Sequence, residues 1–175
     1  MLTYALMTLY SIAGLAFKIP FGFIINTAVA PIGAVFTLIC IISGSLWGKP
    51  MWGTWWVWDA RLTSVAILFI IYLIVIFMNL SFENRIVKEK VVAIFILVGS
   101  VNLPIIKFSV DWWNTLHQPA SLSRLDAPAI DTSMLTPLLL MALGFKLFLI
   151  SILIIKMRTI LIEKRIEAKQ LLKSS

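Results

Sequence analysis

The chain contains one histidine, and it lies in a segment that also carries two adjacent tryptophans. His117 follows Trp113 by four residues, and Trp112 directly precedes that tryptophan. Residues four apart share a face of a helix, so His117 and Trp113 could address one ligand. A neutral imidazole is a common metal ligand and a common axial ligand for haem iron. His117 is therefore a candidate iron ligand, although a lone histidine is more often an ordinary core or surface residue.

A first group of tryptophans lies about sixty residues upstream. It comprises Trp52, Trp55, Trp56 and Trp58. On an α-helix, positions 52, 55, 56 and 59 fall on one narrow stripe, which predicts that three indoles share a face with Asp59. Such a face is broad, flat and polarizable, and it suits a large planar ligand better than a small solute. Glycine and proline residues between positions 48 and 53 weaken the case for regular helix before residue 54.

The elements that position these residues are expected to be membrane helices. Of the 175 residues, 61% are hydrophobic and 13% are charged, and the mean hydropathy is +1.00. Lipid rather than water is the solvent such a chain requires. Five apolar runs lie at residues 1–17, 23–46, 62–80, 91–107 and 135–157. The sequence predicts an all-α, polytopic transmembrane helix bundle with about five spans, in which residues 18–27 form a turn before the second crossing.

The links between the runs alternate in charge, which orients the chain. One set of links holds ten cations: Lys18, Arg85, Lys88, Lys90, Lys156, Arg158, Lys164, Arg165, Lys169 and Lys173. The other set holds only Lys49, Arg61, Lys107 and Arg124. The cation-rich set is expected on the cytoplasmic or matrix side, with the tryptophan-rich links facing outward. The predicted organisation is a membrane domain over 1–157, with a tryptophan-rich segment at 47–63 and a second outer link at 108–134, then a cytoplasmic amphipathic tail over 158–175.

The seven tryptophans all lie in or beside the two outward links. An aromatic belt at the headgroups is the ordinary explanation, but a belt is spread over both membrane interfaces. The one-sided distribution favours a ligand surface. Nucleic-acid binding is disfavoured because the cations are not gathered on a soluble face. The single cysteine, Cys40, lies in an apolar run and is expected to be a small buried hydrophobe.

The tryptophan segment and its flanks resemble a known family. The string from Trp52 to Thr63, WGTWWVWDARLT, is similar to the tryptophan-rich WWD signature of the haem-handling proteins of cytochrome c biogenesis. Three further strings resemble one branch, the haem exporter protein C family of the cytochrome c maturation system: APIGAVF at 30–36, SGSLWGKP at 43–50, and NLPII at 102–106 followed by WWNTLHQ at 112–118. The resemblance covers about residues 1–160.

The resemblance implies a six-span protein of a bacterial inner membrane or the mitochondrial inner membrane. Such a protein holds haem b at its outer surface and passes it to a membrane-anchored haem chaperone, together with ABC-transporter subunits and a small helper subunit. In that family two outward histidines flank the tryptophan segment and bind the iron. His117 matches the second, and the first would lie just before the helix that begins this chain, so we expect the chain to lack the first transmembrane helix.

The remaining assignments are hypotheses for residues near the signature. The first-group tryptophans are expected to form a wall for the porphyrin, with Trp112 and Trp113 also in the site. The planar fork of Arg61 matches a haem propionate, but pairing with Asp59 or with a lipid phosphate is equally compatible. Asp59 is expected to orient an indole N–H or to contact a partner.

Two other classes of function stay open on the sequence alone. One is a membrane enzyme, such as a haem lyase or a quinone-linked subunit. The chain shows no paired carboxylates, activated nucleophile or Gly-rich phosphate loop, which favours a protein that is not an enzyme. The other is a structural or permease subunit with an aromatic girdle and no haem.

Overall fold

A computed structural model describes residues 1–18, 20–82, 84–113, 117 and 131–174. Its regular elements are six helices: α1 (Leu2–Phe17), α2 (Pro20–Trp52), α3 (Ala60–Ser81), α4 (Arg85–Gly99), α5 (Asn102–Trp112) and α6 (Thr132–Ser174). The described residues contain no strand, which confirms the all-α prediction. The chain divides into two units, Met1–His117 and Gln118–Ser175.

Four stretches of helix are long and apolar enough to cross a membrane. They are Gly22–Trp52, Ala60–Ser81, Ile86–Trp112 and Ser133–Gln170. Leu2–Phe17 is a shorter apolar helix. In hydrocarbon the backbone must satisfy its own hydrogen bonds, and a continuous helix does so within one segment. The predicted polytopic membrane architecture is therefore confirmed.

The start of α2 differs from the sequence-based expectation. The helix begins at Pro20, so the expected turn over residues 18–27 is wrong; Lys18, in the left-handed region at φ 53°, ends α1. Proline suits a first helical turn because the N–H it lacks would have no partner there. Asn26, which suggested a loop, lies on α2 and donates from Nδ2 to Ser11 Oγ at 2.8 Å. The polar residues of this region are thus used for packing between helices.

Two tyrosines form the centre of the first unit, where α1 packs on α2 and α4, and α3 packs on α2, α4 and α5. The rings of Tyr4 and Tyr72 meet edge to face with centroids 5.3 Å apart. Tyr72 shares a hydrogen bond with Thr3 at 2.8 Å, and Tyr4 donates to the Ile96 carbonyl at 3.0 Å. A Cβ on Gly33 would overlap the Tyr72 ring, so glycine there permits close packing of α2 on α3.

The fourth predicted span is interrupted near its end, close to Asn102 and Pro104. Helix α4 ends at Gly99, and the Leu103 N–H bonds the Ser100 carbonyl three residues back as α5 begins. Pro104 has no N–H, so it tolerates only the first turn of the new helix. The buried Asn102 donates to the Ser64 carbonyl at 2.8 Å, which ties the start of α5 to α3.

Two of the cations assigned to one side of the membrane, Lys18 and Lys90, lie at the same end of the first unit. A cleft of about 430 Å³ is lined by Lys18, Glu89 and Lys90, at the end of α1 and the start of α4. The opposite end of this unit, which we call the tryptophan end, holds Met1, the end of α2 and the start of α3. Within the first unit, the ends that carry Lys18 and Lys90 and the ends beside the tryptophan segment thus lie opposite each other, and the side of the membrane that each faces stays a prediction.

The described part of the second unit is one helix of 43 residues, α6. Asp131 precedes it and accepts a hydrogen bond from the Ser133 N–H at 2.8 Å, which satisfies one of the amides of the first turn. The helix runs without a break through residue 157, where the sequence suggested that the membrane domain gives way to a tail. That division stays a prediction.

Candidate functional site

The tryptophan segment does not form the helical face that its spacing suggested. Helix α2 ends at Trp52, and residues 53–59 have no regular structure. Gly53 has a φ of 76°, the left-handed conformation in which helices commonly end. The expected stripe over positions 52, 55, 56 and 59 is therefore wrong, because it requires helix beyond residue 52. The earlier doubt about Gly48 and Pro50 was also misplaced, since both lie within α2.

His117 lies against the first tryptophan group at the tryptophan end. The centroids of its imidazole and of the Trp52 ring are 4.9 Å apart, with an angle of 72° between the planes. The Trp47 indole also meets Trp52 edge to face, with centroids 5.3 Å apart. The two outer links of the sequence thus come together at Trp52 and His117.

Asp59 forms a hydrogen bond with His117. Its Oδ2 lies 2.8 Å from Nδ1 of His117, and the side chains are 5% and 19% exposed respectively. The other oxygen, Oδ1, accepts the Leu62 N–H at 2.7 Å and caps α3. Because a carboxylate can only accept, the facing Nδ1 of His117 carries the proton. In the neutral ring, Nε2 is then the nitrogen whose lone pair can coordinate a metal.

Arg61 and His117 line one cavity, which is otherwise mostly apolar. Its volume is about 350 Å³, within the range of roughly 300–1,000 Å³ typical of ligand pockets. Its apolar wall comes from α2, α3 and α5 and includes Phe36, Leu62, Val65, Leu68 and Ile106. The described partners of the Asp59 carboxylate are Leu62 and His117, and the role of Arg61 stays a prediction.

The other tryptophans of the segment form separate contacts. Trp56 and Trp58 meet edge to face at 5.6 Å, and the Lys49 ammonium lies 5.7 Å from the Trp55 ring centroid. Trp58 is 80% exposed, whereas the Trp56 Nε1 is buried with no hydrogen-bond partner among the described residues. An unsatisfied buried N–H is costly, so a ligand acceptor at this indole would stabilise the site.

The tryptophans of the second link lie at the end of α5. Trp112 stacks on Phe108 at 5.5 Å and meets Trp113 at 5.9 Å, and both indoles are more than half exposed. Most of the predicted link at 108–134 lies outside the described residues. That part comprises residues 114–116 and 118–130, which include the cation Arg124. The structure thus brings Trp52, Asp59, Arg61 and His117 together, while the roles of the other tryptophans stay predictions.

The contribution of Asp59 was missed on the sequence. An aspartate directly before a long apolar run is a helix N-cap signal, and this signal was available at Asp59. The hydrogen bond with His117 gives no signal in the local sequence, because the two residues are 58 positions apart. Trp47 was counted as part of the outer link, but its contact with Trp52 also required the end of α2 to be located.

Comparison with known proteins then decides the family. The model of the family described as "Heme exporter protein C" matches residues 1–172. The chain belongs to that family. The match includes every described residue of the tryptophan end, so the geometry above is that of a heme exporter protein C family member.

Relatives in the family come from bacteria and from plant mitochondria. A "Heme exporter protein C" of Bradyrhizobium diazoefficiens is 44% identical over 175 residues, all of this chain and 66% of that protein. The protein of the same name from Escherichia coli K12 is 44% identical over 164 residues, 93% of this chain and 66% of the relative. A ccmC-like mitochondrial protein of Marchantia polymorpha, whose name refers to cytochrome c biosynthesis, is 49% identical over 145 residues, 83% of this chain and 60% of the relative. The chain thus spans less than two thirds of the length of these curated relatives.

Proposed function

We propose that this protein binds haem b at the tryptophan end and presents it, on the outer side of the membrane, to a haem chaperone for c-type cytochrome biogenesis. The observation that carries the proposal is the placement of His117 between Trp52 and Asp59. It combines an imidazole whose Nε2 suits iron with an indole that suits the porphyrin. Family membership supports haem as the cargo.

The residues of the tryptophan end fit haem in three further respects. The mostly apolar cavity beside His117 suits a porphyrin edge, and Arg61 in its lining matches a propionate. The buried N–H of Trp56 offers a donor that no described residue uses. The exposed Trp55, Trp58, Trp112 and Trp113 provide further aromatic surface beside the site.

Transfer to other proteins is part of the proposal. Haem that is handed on must be reachable from outside, and exposed aromatic residues are common in protein interfaces. We propose the membrane-anchored haem chaperone as the recipient, and ABC-transporter subunits and a small helper subunit as the complex in which transfer occurs. The membrane is a bacterial inner membrane or the mitochondrial inner membrane, with the tryptophan end outward.

Haem retention tests the proposal directly. The protein is purified with its partners from membranes, and its iron-porphyrin content and absorption spectrum are recorded for the wild type and for His117→Ala. We expect the substitution to reduce retained haem at least tenfold and to change the Soret band. Ser43→Ala, an exposed change on α2, serves as the matched control. Equal haem content in His117→Ala and wild type would refute the proposal, and a covalent thioether product would favour a lyase instead.

A further inference from the structure

Asp59 connects the helix framework of the first unit to the imidazole of His117. Its backbone is extended, with φ −89° and ψ 166°, and it caps α3 through the 2.7 Å bond from the Leu62 N–H to Oδ1. Its second oxygen accepts the Nδ1 proton of His117 at 2.8 Å. A single carboxylate therefore holds the start of a long helix and the candidate iron ligand together.

We infer that Asp59 is the positioning residue of the haem site, which fixes the His117 proton on Nδ1 and aims Nε2 at the iron. The inference rests on the proposed haem-binding function. It gives Asp59 a defined role in place of a contact with an indole, a partner or the porphyrin. In this role Asp59 acts only through His117.

The chemistry of histidine ligands explains why such a residue is useful. A metal-bound histidine commonly donates its second ring N–H to a carboxylate, which selects the tautomer, orients the ring and makes the coordinating nitrogen more basic. Without that partner the proton can reside on Nε2, and a protonated Nε2 cannot bind iron. Loss of such outer partners typically weakens metal binding by about 10–100-fold.

The surroundings of the Asp59–His117 pair favour this role. The Asp59 side chain is only 5% exposed, so water has little access to replace the imidazole as its partner. The Trp52 ring contacts the imidazole edge to face and limits its rotation about the hydrogen bond. The N-terminus of α3 adds a positive partial charge that stabilises the carboxylate. His117 thus has both its proton and its plane constrained from neighbouring elements.

The test separates a positioning role from direct contact with the porphyrin. In Asp59→Asn the side-chain oxygen can still cap α3, since asparagine is a good N-cap, but the amide offers an N–H that favours the wrong tautomer of His117. Asp59→Ser also keeps a cap and removes the carboxylate. Haem and metal-free protoporphyrin IX are the two probes, because both have the same ring and propionates but only haem requires an axial ligand.

We expect both Asp59 variants to bind haem about 10–100-fold more weakly than wild type, with protoporphyrin affinity changed less than twofold. The iron–histidine stretching frequency of the residual ferrous complex should fall, since the coordinating nitrogen becomes less basic. Thermal stability of the protein without haem should match wild type. An equal loss of affinity for haem and for protoporphyrin IX would overturn the inference, and so would unchanged haem affinity and stretching frequency.

The outcome for His117 shows which of the two proposals has failed. If His117→Ala loses haem while the Asp59 variants keep wild-type affinity and spectrum, the positioning role is wrong and the haem site stands. If His117→Ala binds haem as wild type does, the proposed function itself is wrong.

Discussion

The imidazole of His117 stands edge-on to the indole of Trp52, with ring centroids 4.9 Å apart. This contact joins two segments that lie on opposite sides of α3, α4 and α5 in the sequence. It places the candidate iron ligand beside the last residue of α2. Trp52 is therefore the tryptophan of the first group with the most direct connection to the proposed iron.

Truncating Trp52 should weaken haem binding more than removing an indole that has no described contact with His117. An aromatic pair contributes about 0.5–1.5 kcal/mol beyond burial, so Trp52→Ala should lower haem affinity about two- to tenfold, and Trp52→Phe should lower it less. Trp112→Ala is the comparison, because Trp112 contacts Phe108 and Trp113. Titration of haem into each purified variant measures the effect. Equal losses for Trp52 and Trp112 would instead indicate a porphyrin that extends over both links.

Arg61 should contribute to binding affinity only for a porphyrin with free propionates. If its guanidinium pairs with a propionate, Arg61→Ala weakens haem binding several-fold, whereas haem dimethyl ester binds the variant and the wild type alike. Arg61→Lys keeps the charge but loses the planar fork, so its haem affinity should lie between those of the wild type and Arg61→Ala. Lys107→Ala removes another cation of the outer set as a control. A similar loss for the ester and the free acid would exclude the propionate pairing.

The tryptophan end and the C-terminal end of α3 should be accessible from opposite sides of the membrane. The single cysteine, Cys40, is exposed and not buried as the sequence suggested, and it is first replaced as Cys40→Ser. A cysteine is then placed either at Met51 of α2, which is 60% exposed, or at Ser81, the last residue of α3. Met51→Cys should react with a membrane-impermeant maleimide added to intact spheroplasts, and Ser81→Cys should react only after lysis. The reverse pattern would place the tryptophan end inside and contradict the charge-based orientation.

A methyl group on Gly33 should destabilise the bundle. The added Cβ would overlap the Tyr72 ring, which is fully buried and bonded to Thr3. Overpacking of this kind costs about 1–3 kcal/mol. Gly44→Ala is a control on the same helix, because a Cβ there has no atom within 4 Å. Thermal unfolding in detergent should show a lower midpoint for Gly33→Ala alone, and equal midpoints would mean that α2 and α3 adjust without cost.

The helical fold could be predicted from composition, but several helix limits could not. In lipid, a long apolar run satisfies the hydrogen bonds of its backbone N–H and C=O groups most simply by forming a helix. Asn26 looked like part of a turn because its side chain is polar, yet its Nδ2 bonds Ser11 Oγ within the bundle. The end of α2 was also misjudged, since Gly48, Pro50 and Gly53 were treated alike although of the three only Gly53 lies at the helix end, with a φ of 76°. In each case the deciding contact or backbone angle belongs to the packed molecule.

The sequence by itself determined the membrane-helical class of this protein, and its motifs singled out His117 and the tryptophan segment. Both are properties of local residue types and their spacing. Only the tertiary structure decided that His117 lies against Trp52, that Asp59 is its partner, and that Arg61 lines the same cavity. The physical reason is that these contacts join residues far apart in the chain. Helix packing sets the distances between these residues, and those distances cannot be inferred from the local periodicity of the sequence.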